Sequence, residues 1–357
     1  MLPCMLVRWF LLMVCLLVGM GCAAGDRPRT YVAGKVDRAP VIDGVLDDAA
    51  WSDAPWTDDF IDIEGPVKPR PRFATRAKMV WDEEYFYVGA WMEEPDVWGT
   101  LEARDSIIYN DNDFEVFIDP DGDSHDYYEL EVNALNTQFD LMLTRPYRCG
   151  GTYDIGWDIE GLQTAVDVRG TLNDPSDRDD CWTMEIAIPW ASLASHANRP
   201  TPPLDGDQWR VNFSRVQWQH VINEDGYARK PGPREDNWVW SRQDAIDMHR
   251  PQYWGRVLFV DSPPGVRSYV PAGDESVRTT LRRLHAAVVA YSSANGALPE
   301  SVGDLDGLWE PVSDPSINGL RFRVDPEGWV IELDHQAGDA TTTWSLGPMC
   351  RVSKSSK

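Results

Sequence analysis

Basic side chains are scarce in this 357-residue chain: 33 Lys and Arg stand against 58 Asp and Glu, for a net charge of −25. A nucleic-acid binder needs cations to displace the counterions of a phosphate backbone, so that class is excluded. The charge itself implies solubility and repulsion from anionic surfaces. Cysteine is scarce too. There are six, with no CxxC pair and no Cys/His cluster, which leaves nothing for zinc or c-type haem. No HExxH, phosphate loop or nucleophile elbow is present, so the familiar hydrolase and nucleotide signatures are missing. The apolar run 9–20 falls well short of the ~20 residues a membrane-spanning helix needs. Between Arg8 and Gly21-Cys22 it reads as a secretory leader over 1–22. Cys22 after a small residue also fits a lipoprotein signal carrying lipid on Cys22, although Gly19 stands where such signals usually have Leu. The alternative is ordinary cleavage near Ala24. Either way the chain is expected to be exported, to the periplasm, the outer membrane as a lipoprotein, or the exterior, with a lipid on Cys22 as its sole membrane link. In that oxidising setting Cys149 and Cys181 are expected to close the loop they bracket, leaving Cys350 unpaired.

The organising stretch is 111–144, three alternating runs separated by turn-rich breaks. Phe114, Val116 and Ile118 share one face of the first run, with Asp113, Glu115 and Asp119 opposite. Tyr128, Leu130 and Val132 share a face of the second, opposite Glu129 and Glu131. The third is expected to turn Phe139, Leu141 and Leu143 inward and Asp140 and Met142 outward. This predicts an antiparallel meander with one buried face and one acidic face. Like charges opposed across strands cost stability, so the acidic face points to a ligand or a metal that relieves them. Seventeen Trp is a high count, and rings that reach solvent stack on sugars, so the composition favours a carbohydrate reader.

Around this meander the chain reads as a succession of short strands. Residues 26–40 form a tether; Ile42-Asp43-Gly44 reads as strand and turn, and Asp47 or Asp48 caps a short helix carrying Trp51. Strands are expected at 74–81, 85–94, 162–168, 181–188, 209–218 and 254–260, a helical turn at 190–193, and a Trp-bearing loop at 236–242. Nine or ten strands with almost no helix make an antiparallel β-sandwich of jelly-roll type over 32–261. Ser262-Pro263-Pro264-Gly265 marks a boundary. Beyond it Val277, Leu281, Leu284, Val288 and Tyr291 recur at helical spacing, and Asn295-Gly296 ends that helix. A hairpin follows, so 266–357 is a separate small α+β module. Its segment 281–305 is similar to the helix-to-loop segment in soluble parts of pilin-like proteins.

PVIDGVLDDAAW, FYVGAWMEEPD, DNDFEVFIDPDGD with YYELEVN, WTMEIAIPWASL, WRVNFSRVQW and NWVWS follow one another in order. The series resembles the family 9 carbohydrate-binding modules and the family-9-like bacterial proteins, over about residues 35–260. The resemblance implies a sandwich that binds sugar between two aromatic rings, with charged and amide side chains fixing the hydroxyls and calcium in a structural role. It puts the acidic ligand at Glu115, one aromatic wall at Tyr109, and the second wall with its amide partner at Trp240 and Asn237. A basic residue expected on the second meander strand falls near Glu131, which carries the opposite charge. Trp218 and Trp238 are neighbouring candidates for stacking platforms; Arg215 either binds ligand or pairs with the acidic sheet face, and pairing is the expectation. Independently of the resemblance, Asp119, Asp121 and Asp123 alternate toward Asp126 as hard oxygen donors suited to calcium. A metal-free acidic turn is the other reading.

These observations imply a non-catalytic, exported protein that binds a polysaccharide or oligosaccharide. Three alternatives stay open: glycoside cleavage by a pair among Glu115, Glu129 and Glu131, a haem-b electron-transfer domain with Met142 and His220 as ligands, and an envelope scaffold whose C-terminal module recruits a partner.

Overall fold

The computed structural model describes residues 28–326 and 328–356. The leader and Cys22 lie outside the described residues. Fifteen strands precede the Pro-rich boundary: β1 (Thr30–Lys35), β2 (Ile61–Asp62), β3 (Thr75–Trp81), β4 (Tyr85–Glu93), β5 (Asp113–Asp119), β6 (Tyr127–Asn133), β7 (Gln138–Leu143), β8 (Tyr153–Asp154), β9 (Gln163–Arg169), β10 (Cys181–Pro189), β11 (Gln208–Gln217), β12 (His220–Asn223), β13 (Gly226–Arg229), β14 (Asp236–Val239) and β15 (Gly255–Val260). One curled sheet runs β8-β7-β6-β5-β11-β15-β1-β3-β4-β10-β9, with β14 attached to β11 and β2 to β14, while β12 and β13 form a separate hairpin. Pairing is antiparallel except at β15–β1 and β1–β3. The inner faces of the two halves meet in one core, where Phe114, Val116, Tyr128 and Leu130 pack with Phe86, Val88, Met184 and Ile186. The sandwich is therefore as the alternation predicts.

Two expectations at the N-terminal end are corrected. Residues 30–35 form β1, a central strand rather than part of a tether, because Val260 and Val80 both pair with Gly34. Ile42-Asp43-Gly44 is not a strand. The amides of Asp43 and Gly44 both donate to Glu185 Oε2 at 2.9 Å, and the indole N–H of Trp51 donates to Glu185 Oε1 at 2.7 Å. One buried carboxylate thus takes the donors that a neighbouring strand would otherwise take. The expected short helix is α1 (Ala49–Ser52), with Asp48 at its N-cap. The turn after β10 is α2 (Trp190–Leu193).

The third meander strand is turned over relative to expectation. Met142 of β7 packs into the main core, whereas Phe139, Leu141 and Leu143 share a second cluster with Phe117, Tyr127 and Trp254 on the opposite face. Both faces of β7 are covered. Asp140, fully buried on the inner side, is satisfied by the Ile159 amide and the Arg104 guanidinium. Alternation cannot orient a strand whose polar residue is paired inside.

Beyond the boundary come α3 (Glu275–Asn295), β16 (Ile317–Asp325), β17 (Gly328–Ala337), β18 (Ala340–Leu346) and β19 (Val352–Ser356), the last four making one antiparallel sheet. Gly296 ends α3 in the left-handed region at φ 66°, which a residue without Cβ adopts freely. Val277, Leu281, Leu284 and Val288 pack on Ile331, Leu333 and Trp344, a core of the module's own. The module is nonetheless fastened to the sandwich. Cys149 is bonded to Cys350, with Cα atoms 6.1 Å apart. The expected Cys149–Cys181 bridge is thereby corrected: Cys181 opens β10 in the other half of the sheet and is a buried free thiol.

Candidate functional site

The outer face of β5, β6 and β7 lines a cavity of about 580 Å³. The register of the meander assembles its floor. Glu115 stands directly opposite Glu131, and Glu129 lies beside Phe117 on one flank and Leu141 on the other. These carboxylates are at most 7% exposed, and Asp113, behind Glu115, is 0% exposed. The rim is aromatic and apolar: Tyr109, Tyr147, Tyr153, Ile155 and Ile246 are exposed, with Glu235 and Asn237 beside them. A cavity of this size with a polar floor and an apolar, ring-bearing rim matches what a small ligand requires. A sugar offers apolar C–H faces to rings and hydroxyls to acceptors.

Burial sets the electrostatics of the floor. It pushes the Glu115 carboxyl up to about 7, and the charge of Glu235 adds to the rise. Burial also raises Asp113, Glu129 and Glu131 well above the usual carboxylate range, reinforced in each case by the Glu115 charge. Glu131 Oε2 accepts the Tyr109 amide at 2.9 Å, and Asp113 Oδ1 accepts the Val216 amide at 3.2 Å. Asp113 Oδ2 and Glu115 Oε2, both buried, have no hydrogen-bond partner. His249 lines the same cavity, within 3.1 Å of the Tyr127 hydroxyl. Burial depresses its pKa to about 4, so it is neutral at pH 7.

The residues expected to bind sugar divide into two groups. Tyr109, Glu115 and Asn237 do line the cavity. The three tryptophans do not. Trp240 is 1% exposed and packs on Phe213, with ring centroids 5.7 Å apart. A Cβ at residue 255 would lie 2.2 Å from its ring, so Gly255 is what admits the indole there. Trp238 is buried between the Arg72 and Arg215 guanidiniums, 5.1 and 5.3 Å from its ring. Both rings point inward because β14 alternates: Asn237 and Val239 take the outer face, one lining the cavity and the other in the outer apolar cluster. Trp218 is a positioning residue: its indole N–H donates to the Tyr109 carbonyl at 2.8 Å, and Arg229 covers its ring at 4.3 Å. Among the described residues no Trp is exposed; Trp56, Trp91, Trp157 and Trp309 are half-buried and the others buried. The Trp count reports core volume rather than stacking surface.

Tyr147 and Tyr153, which the sequence reading missed, stand 6.1 Å apart at the rim. The available signal was a pair of aromatic residues flanking Cys149-Gly150-Gly151, in the loop that follows the meander. Arg215 forms the expected ion pair, with Glu94 at 2.9 Å, but inside the sandwich rather than on the acidic face. The pair is fully buried, and desolvation lowers the arginine to about 10 despite its partner. Met142 is a core residue and His220 belongs to the β12–β13 hairpin, 3.9 Å from Asp96.

The carboxylates of the Asp119 loop have protein partners of their own. Asp119 accepts the Gly122 and Ser124 amides, Asp121 the Asp123 amide, and Asp123 the His125 amide and the Arg351 guanidinium. The three carboxylates approach within 4.8 Å of one another, and Asp126 is outside the group. The loop carbonyls of Asp121, Gly122 and Asp123 receive Arg278 and the Val352 amide. Beside the loop's own amides, Arg278, Arg351 and the Val352 amide reach it from the C-terminal module, which is seated on it.

Residues 42–262 match the family described as carbohydrate family 9 binding domain-like. The chain belongs to that family. Its members are carbohydrate-binding domains, and the cavity described above lies on the meander of this one. A curated relative, the exoglucanase XynX of Acetivibrio thermocellus, is 28% identical over 237 residues, 66% of this chain. The match spans 18% of that relative's length. Among solved structures, a family 9 module from Caldicellulosiruptor kristjanssonii in complex with cellotriose is 16% identical, with TM-score 0.43, over 68% of this chain and 100% of that one. A putative carbohydrate-binding protein from Bacteroides uniformis is 14% identical, with TM-score 0.47, over 65% and 99%.

Proposed function

We propose that this protein binds a polysaccharide or oligosaccharide without cleaving it, in the cavity floored by Glu115, Glu129 and Glu131 and rimmed by Tyr109, Tyr147 and Tyr153. The observation that carries this reading is the juxtaposition of exposed tyrosine rings and buried acceptors on the outer face of a family 9-like domain. The related exoglucanase makes glucans the first ligands to try. The export pattern of the leader and the Cys149–Cys350 bond support an extracytoplasmic site of action, free in the periplasm, secreted, or held by a lipid on Cys22. In this reading Arg278 and Arg351 take the part that calcium would play in the Asp119 loop, and the C-terminal module is a fixed neighbour of the sandwich.

The test is a glycan array followed by calorimetry on the full-length protein, with Tyr109→Ala and Tyr147→Ala beside the wild type. Glycan binding that both variants weaken supports the reading. Silence from a folded wild type across soluble sugars and polysaccharides removes it. Release of reducing ends, lost in Glu115→Gln, would replace binding by cleavage, the reading that the raised Glu115 carboxyl favours.

A further inference from the structure

We infer that Asp113, Glu115 and Glu131 together hold a divalent cation of calcium size at the floor of the cavity, its open side turned to the ligand. One carboxylate oxygen from each of the three lies within 4.8 Å of the other two. Oxygens on opposite sides of a calcium ion, each at ~2.4 Å, are about 4.8 Å apart, so the whole set fits one coordination sphere. The donors are all hard oxygens, as that ion requires, and no Lys or Arg lines the cavity to serve instead.

The group differs from an ordinary acidic surface in one decisive respect. Asp113 is 0% and Glu115 5% exposed, yet Asp113 Oδ2 and Glu115 Oε2 have no hydrogen-bond donor. An ionised oxygen removed from water without a partner is costly, and two such oxygens converging with the Glu131 carboxylate on one point multiply that cost. The Asp119 loop is the internal contrast. It is also an acidic triad, but its oxygens are taken by backbone amides and by Arg351. On the meander the Tyr109 and Val216 amides serve one oxygen each of Glu131 and Asp113, no arginine reaches the group, and Asp113 Oδ2 and Glu115 Oε2 are left without donors.

The strands hold the three ligands rigidly, since Glu115 faces Glu131 across β5–β6 and Asp113 lies two residues along β5. Three carboxylates leave a six- to eight-coordinate ion with open positions. Resting on the carbohydrate reading, the inference deepens it: vicinal hydroxyls of a sugar seated among Tyr109, Tyr147 and Tyr153 fill those positions, so that glycan binding is calcium-dependent.

The ion is tested first without sugar. EDTA-treated full-length protein is titrated with Ca²⁺ by calorimetry and with Tb³⁺ by tyrosine-sensitised luminescence. The expected result is binding by ~1 mM Ca²⁺, a range that extracellular modules use, with a raised melting temperature. Asp113→Asn and Glu131→Gln each weaken it about tenfold or more, while Asp121→Asn does not. Absence of Ca²⁺ binding by folded wild-type protein overturns the inference. So does binding abolished by Asp121→Asn and kept by the other two; the wild-type titration decides the matter if a variant fails to fold. Glycan binding is then measured in EDTA and after adding Ca²⁺. Loss and recovery support the shared site. Glycan binding unchanged in EDTA overturns the ion's role and leaves the carbohydrate reading standing; Ca²⁺ binding with no glycan response keeps the ion and removes that reading.

Discussion

Replacing Trp240 by Ala separates a core ring from a ligand-stacking ring. Trp240 is 1% exposed, packs on Phe213 with ring centroids 5.7 Å apart and fills the space over Gly255 that any side chain there would occupy. Truncating so large a buried ring typically costs about 3–5 kcal/mol, transfer and cavity terms combined. That is a large part of the ~5–15 kcal/mol that holds a domain together. For a sandwich of this size it corresponds to a fall in melting temperature of roughly 6–20 °C. Tyr147 is 44% exposed and lines the cavity, so Tyr147→Ala is expected to leave the melting temperature nearly unchanged. The two variants should therefore cross over. Measured by calorimetry well below its melting temperature, Trp240→Ala retains wild-type glycan affinity, while Tyr147→Ala loses about tenfold, ~1.4 kcal/mol. A Trp240→Ala protein of wild-type stability that no longer binds glycan would refute the placement of that ring.

Four further outcomes follow from the structure. His285 is buried, and desolvation, with the Arg148 and Arg250 charges, depresses its pKa from 6.5 to about 4. Its contribution to stability is present above pH 6.5 and lost as pH falls toward 4, up to roughly 3 kcal/mol, because the unfolded chain takes the proton first. Urea titrations from pH 7.5 to 4 should show a shallower acid loss in His285→Gln, and an identical slope would contradict this. Arg215→Met strands the buried Glu94 and is expected to cost about 3–5 kcal/mol, much of it regained in the double variant with Glu94→Gln; additive effects in chemical denaturation would rule out the coupling. Peptide mapping under non-reducing conditions should recover Cys149 linked to Cys350, and Cys181 labelled only after denaturation. Cys350→Ser, which opens a closure spanning 201 residues, should lower stability by up to ~5 kcal/mol.

The sequence by itself determined the elements. Period-two alternation marked β5, β6, β10, β11 and β15 within a residue or two, and the period of 3.6 marked α3. The ordered motifs identified the family, and Glu115 and Asn237 fell at the cavity because strand register carries spacing directly into position, with Tyr109 on the short turn just before β5. Tertiary structure decided whatever depends on a face or on a distant partner. Trp238 and Trp240 turn inward because Asn237 and Val239 take the outer face, and an indole at a strand position looks the same in sequence whichever way it points. Residues 30–35 became a central strand because β15, more than two hundred residues away, runs beside them. Cys149 pairs with Cys350 because the C-terminal module docks on the Asp119 loop, a contact between segments with no local signal. Burial completed the site. The acidic face was legible as alternating Glu and Asp, but only packing under the tyrosine rim stripped it of water, raised its carboxyls and left two oxygens without donors.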